Sequence, residues 1–103
     1  MARRSGTKSD GGTFDDATIE AVWQKGTPNP QYPGYRTDVC NVWMKRDLHG
    51  KTEQYGWEID HIKPVAAGGG DELSNLQPLY WENNRYKGDN WPQWYCKVDN
   101  RKK

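Results

Sequence analysis

Residues 57 to 89 read WEIDHIKPVAAGGGDELSNLQPLYWENNRYKGD, with Asp60 directly before His61 and Asn75 and Asn84 following at a distance. Asp60 supplies a charged carboxylate and Asn84 a neutral carbonyl oxygen. Both are hard donors, so the pair can hold one divalent cation and leave further positions on it for water and phosphodiester oxygens. An unperturbed imidazole titrates at about 6.5, which suits His61 to take a proton from an attacking water near neutral pH. Asn75 can accept a hydrogen bond from one ring nitrogen, fixing the tautomer and leaving the other nitrogen free. The chemistry open to such a group is metal-assisted hydrolysis.

These side chains need elements to bring them together. YGWEIDHI alternates large and polar residues, which predicts a strand with Trp57 and Ile59 on one face and Glu58 and Asp60 on the other. Neighbours in a regular strand point to opposite faces, so a bend or bulge is expected between Asp60 and His61. AAGGGDELS reads as a flexible turn. NLQPLY makes the returning strand, with Leu76 and Leu79 apolar and Pro78 confined to an edge or a bulge. WENNRYK fits a short helix closed by Gly88 and carrying Asn84. Upstream, DDATIEAVWQKG predicts an amphipathic helix with Asp15 or Asp16 as N-cap, Ile19, Val22 and Trp23 at helical spacing and Gly26 as the stop. TPNPQYPGY is a proline-rich connector held by its tyrosines. TDVCNVWMKRDLHG reads as mostly extended, with a short helix capped by Asp38 as the alternative, and NWPQWYCKV is expected to fold its rings back onto the core.

DHIKPVAAGGGDELSNLQPLYWENNRYKG resembles the motif of the HNH endonucleases, small nucleases of the ββα-metal (His-Me finger) class. That pattern has an acid and a histidine before an apolar residue and a proline, then a Gly-rich turn, Asn-Leu, and an Asn or His three residues ahead of a Lys. Asp60, His61, Pro64, Gly68, Gly69, Asn75, Leu76, Asn84 and Lys87 fall on those positions. The resemblance implies that Asp60 and Asn84 are metal ligands, His61 the general base, Asn75 the residue that orients the base, and Lys87 a neighbour of the phosphate. It also implies products with 5′-phosphate and 3′-hydroxyl ends. Many members carry two Cys-x-x-Cys pairs for a structural zinc, but Tyr80 and Asn83 stand at the places of the second pair here. No structural zinc is expected, and Trp57, Tyr80, Trp81, Trp91 and Trp94 are expected to supply cohesion instead.

The expected fold class is α+β: a small single domain with a ββα-metal finger, a β-hairpin followed by a short helix, plus an N-terminal helix. The chain has 103 residues, 33% hydrophobic content, six Trp and six Tyr, which predicts one modest core built largely from rings. Residues 1–13 carry Arg3, Arg4 and Lys8 without a large apolar side chain and are expected to be a flexible basic arm, leaving 14–103 as the nuclease domain. Arg101, Lys102 and Lys103 make the other end basic, while the net charge of +1 favours no class of partner. No run approaches the roughly 18 apolar residues of a membrane span, so the expectation is a soluble, cytoplasmic protein with no membrane partner. Cys40 and Cys96 are too few for a thiolate zinc site and are expected to be buried, reduced thiols.

The function expected is divalent-metal-dependent hydrolysis of DNA, with Mg²⁺ as the default ion and Mn²⁺ or another first-row ion fitting the same donors. Double-stranded DNA is favoured over single-stranded, a protein partner for targeting is allowed for, and the chain is expected to be a monomer or weak dimer. Arg85 and Arg46 are candidates for backbone phosphates, although surface arginines are often merely solvated. Lys87 has a dipole-based reason to end a helix, His49 reads as structural, and Glu58 reads as a neighbour of Asp60 rather than a ligand. The alternatives are a non-catalytic nucleic-acid-binding module and a subunit of a larger nuclease assembly; an intact set of catalytic side chains weighs against the first.

Overall fold

The computed structural model describes residues 4–101. Asp15 starts α1 (Asp16–Trp23) by accepting from the Thr18 backbone N–H at 2.8 Å, and the apolar stripe that follows buries Val22 and Trp23. Lys25, just past the helix, donates from Nζ to the carbonyls of Leu73 and Leu76, tying α1 to the start of the last strand. The proline-rich connector then supplies β1 (Thr27–Pro28) and β2 (Tyr35–Thr37), which pair antiparallel, and β2 pairs in turn with β3 (Trp43–Lys45). A short 3₁₀ turn at Arg46–Leu48 follows.

The second sheet is a hairpin of β4 (Trp57–His61) and β5 (Leu76–Tyr80), and α2 (Trp81–Lys87) continues directly from it. Two helices and two small antiparallel sheets make this an α+β fold with the ββα order expected. β4 and β5 pair residue for residue from Trp57↔Tyr80 to His61↔Leu76. The bend or bulge expected between Asp60 and His61 is therefore missing from the ladder; none is needed, because His61 ends the strand where both residues border one cleft. Pro78 sits on a two-stranded sheet, where its missing donor leaves no central ladder broken.

Every residue of β4 is buried, because the hairpin is covered on both faces. One face lies in the core of Phe14, Val22, Trp23, Met44, Trp57, Ile59 and Leu76, where the Trp23 and Trp57 rings meet at 5.1 Å. The other face carries Glu58 and Asp60 against α2, whose Asn84, Arg85 and Lys87 bond to them. Large rings thus do the work of aliphatics.

Three expectations are corrected. Cys40 and Cys96 are not free thiols but a disulfide, with Cα atoms 6.0 Å apart. The rings of residues 90–98 do not return to the core: Trp91 is 44% and Tyr95 80% exposed. That segment is held instead by the disulfide and by Asn83, whose side chain accepts from the Val98 N–H and donates to the Val98 carbonyl. AAGGGDELS is not a flexible turn, since it holds 3₁₀ turns at Val65–Ala67 and Leu73–Asn75 and is stapled by Asn75.

Asp38 organises this end of the molecule. It is 5% exposed; Oδ1 accepts from the N–H groups of Cys40 and Val42, and Oδ2 from the Tyr80 N–H and the Asn83 amide. A buried carboxylate so fully bonded links the turn after β2 to the β5–α2 junction. Residues 4–13, expected as a mobile arm, lie along the hairpin, with Ser9 bonded to Asp71 and Gly6 against Glu58. Arg3, Lys102 and Lys103 fall outside the described residues.

Candidate active site

Asp60, His61 and Asn84 line a single cleft of about 120 Å³, together with Ser5, Gly6, Pro64 and Arg85. The strand brings Asp60 and His61 to its C-terminal end, and the middle of α2 brings Asn84. With Arg85, these are four of the six site residues singled out from sequence, now at one place.

Asp60 is 4% exposed. Oδ2 accepts from Gln77 Nε2 at 2.9 Å, and Oδ1 lies 3.2 Å from Lys87 Nζ. Burial pushes its carboxyl above the usual carboxylate range, opposed by the Gln77 hydrogen bond and the Lys87 charge. A cation in the cleft would offset the same burial.

Asn84 donates from Nδ2 to Glu58 Oε1 at 2.8 Å. That bond settles which end of the amide is occupied by protein, and Oδ1 has no hydrogen-bond partner among the described residues. Glu58 is itself 3% exposed and takes a second bond from Arg85 Nη2 at 2.8 Å. Arg85 remains half-exposed at the cleft's rim, its guanidinium 5.8 Å from the Trp81 ring.

His61 Nε2 lies 2.7 Å from Asp71 Oδ1. Burial alone would raise the Asp71 carboxyl, but hydrogen bonds from His61 and Ser9 outweigh it and hold the group below the usual range. An ionised carboxylate only accepts, so Nε2 carries a proton, and in a neutral imidazole bonded this way the lone pair lies on Nδ1. The ring also packs against Phe14, with centroids 6.1 Å apart.

The other two assignments are corrected. Asn75 does not touch the His61 ring. Its Oδ1 accepts from the Lys63 N–H at 2.8 Å, and its Nδ2 donates to the carbonyls of Lys63 and Gly70. The amide staples the loop that carries Asp71 and so supports His61 indirectly. Gly69 makes that staple feasible, because a Cβ there would collide with the Lys63 carbonyl. Lys87 is 1% exposed and cannot reach a phosphate. The last turn of α2 packs under β4, so its ammonium is spent on the His61 carbonyl at 3.0 Å and on Asp60.

Asp71 is the residue the sequence did not single out. Its only signal there was an acid directly after three glycines, which reads as an ordinary solvated turn. Arg46 pairs with Glu20 of α1 at 2.8 Å, and His49 stacks near Trp57 at 4.8 Å, half-buried and structural. Among the described residues no helix is long and apolar enough to cross a membrane.

The donor set suits a hard cation: one carboxylate and one unpartnered amide oxygen, with room left for water. No group of three or more His, Cys, Asp and Glu gathers as a metal cage among the described residues. An ion here would keep most of its positions for solvent and substrate, as an open site requires. No curated protein and no solved structure matches the chain. Residues 45–90 match the family model described as HNH endonuclease. That match encloses Asp60, His61, Asp71, Asn75 and Asn84, so this part of the chain is similar to the HNH endonucleases, and the chemistry that likeness points to is that of a nuclease.

Proposed function

We propose that the protein is a divalent-metal-dependent endonuclease that hydrolyses phosphodiester bonds in DNA. The observation that carries the reading is the single cleft lined by Asp60, His61 and Asn84, with Glu58 and Asp71 fixing the amide and the imidazole behind them. Asp60 and Asn84 would hold the cation through oxygen. When bound, that ion supplies Lewis acidity to the phosphate and charge to stabilise the leaving 3′ oxygen.

The chain's own residues do the rest. His61 receives the proton of a water through Nδ1 while Nε2 stays bonded to Asp71, whose negative charge stabilises the imidazolium that forms. The water oxygen attacks phosphorus in line, the bond to the 3′ oxygen breaks with its electron pair on that oxygen, and a solvent proton completes the 3′-hydroxyl, leaving a 5′-phosphate on the other product. Arg85, half-exposed at the rim and paired with Glu58, would meet a neighbouring phosphate with the remaining face of its guanidinium. Magnesium is the default ion for two oxygen donors, with Mn²⁺ an adequate substitute. Double-stranded DNA is the proposed substrate, cut by a monomer or weak dimer, with a targeting partner an open addition.

The test is incubation with supercoiled plasmid and with single-stranded DNA, in Mg²⁺, in Mn²⁺ and with chelator, beside Asn84→Ala. Strand breaks are expected only with metal, and the variant, lacking the amide oxygen, should need far more metal for the same rate. Cutting that survives the chelator contradicts the metal assignment. DNA binding with no breaks in either metal points instead to a binding module.

A further inference from the structure

We infer that Ser9 is a positioning residue of the active site, and that residues 4–13 are a working part of it rather than a tail. The catalytic consequence of this inference rests on the nuclease reading above; the structural one does not.

Asp71 alone is a weak anchor for a base. Its side chain is 28% exposed and projects from a loop with Gly68, Gly69 and Gly70 directly before it. A carboxylate holding one partner can rotate about its terminal torsion and trade that partner for water. Ser9 removes this freedom. Its backbone N–H donates to Oδ1 at 2.9 Å and its hydroxyl to Oδ2 at 2.7 Å, so both oxygens are fixed from a residue 62 positions away. Oδ1 is then shared between the Ser9 N–H and His61 Nε2.

The neighbouring residues make the clamp part of a larger brace. Phe14, at the end of the segment, is 8% exposed and packs on the His61 ring. At the other end Gly6 adopts φ 75°, and a Cβ there would meet the Glu58 Cβ at 3.3 Å. Ser5 and Gly6 also line the cleft. The segment therefore touches both supporting carboxylates, Asp71 behind His61 and Glu58 behind Asn84. It lies outside residues 45–90, so the family pattern does not include it.

Ser9 acts through Asp71 and not on substrate. Ser9→Ala deletes the hydroxyl bond and keeps the amide. Its kcat for plasmid cleavage should fall about tenfold with KM unchanged, and Ser9→Thr, which retains a hydroxyl, should restore it. In an Asp71→Asn background Ser9→Ala should cost nothing further, because the two act as one unit. Independent losses that multiply overturn the inference.

A readout independent of cutting is the imidazole tautomer, read by long-range ¹H–¹⁵N NMR at a pH where the ring is neutral. The wild type should show His61 protonated on Nε2, and Ser9→Ala a mixture of tautomers. An unchanged tautomer in Ser9→Ala overturns the clamp whether or not the protein cuts DNA. A tautomer shift in a protein that cuts no DNA supports the clamp and removes the nuclease reading.

Discussion

Glu58 shows how much of this site is decided by side chains that never meet substrate. An asparagine amide can present oxygen or nitrogen to a cleft, and only the Glu58 Oε1 bond to Nδ2 selects oxygen here. Glu58→Ala should weaken Mn²⁺ binding by about tenfold to a hundredfold, read by paramagnetic resonance or calorimetry. Lys87 makes the complementary point. Removing it leaves the Asp60 carboxylate buried without its ionic partner, so Lys87→Ala should lower the unfolding free energy by roughly 3 kcal/mol in denaturant titration. A phosphate-binding lysine would give the opposite pattern, intact stability and weakened DNA binding. At this scale the sequence was legible where motif spacing speaks: Asp60, His61 and Asn84 do line one cleft. It was silent where partners are chosen in space. Asn75 was placed near the base but bonds backbone at 63 and 70, and Asp71 looked like any acid in a glycine turn.

The α1 helix was legible from its cap and apolar spacing, and Asp15 does cap it, but it stops at Trp23 with Gln24 as C-cap, two residues short of the expected Gly26. Hydrogen bonds from Thr18 hold the Asp15 carboxyl below its ordinary value of 3.8. A depressed folded pKa means that the cap's contribution is fully present above the unfolded value and is lost as pH falls through the folded one. Asp15→Ala should therefore melt below the wild type at neutral pH, with the gap in Tm closing as the solution is acidified below about 3.8. The hairpin was equally legible from its alternation and Pro78. Its ladder was not, since the bulge demanded by the Asp60–His61 adjacency proved unnecessary once the strand ended at His61. The short strands β1, β2 and β3 left little trace, because runs this brief and proline-flanked carry no usable period.

For the whole molecule the unread feature was the disulfide. Two cysteines separated by 56 residues give no sign of meeting, since pairing depends on Asp38 and Asn83 bringing two distant turns together. Closing a loop of that length stabilises by up to about 4 kcal/mol through the entropy of the unfolded chain. Reduction, or Cys96→Ser, should lower the denaturation midpoint accordingly. The cleft is lined by the N-terminal segment at Ser5 and Gly6, by β4, by Pro64 and by α2 with the turn after it, none of which holds Cys40 or Cys96, so plasmid cleavage by the protein that remains folded should persist after reduction.

As proposed above, His61 acts as the base of a metal-dependent nuclease. The most direct measurement pairs Mn²⁺ binding with plasmid cleavage in His61→Ala. The variant should bind Mn²⁺ as the wild type does while its cleavage rate falls by roughly a hundredfold or more. Cleavage at the wild-type rate with His61 removed would contradict the account.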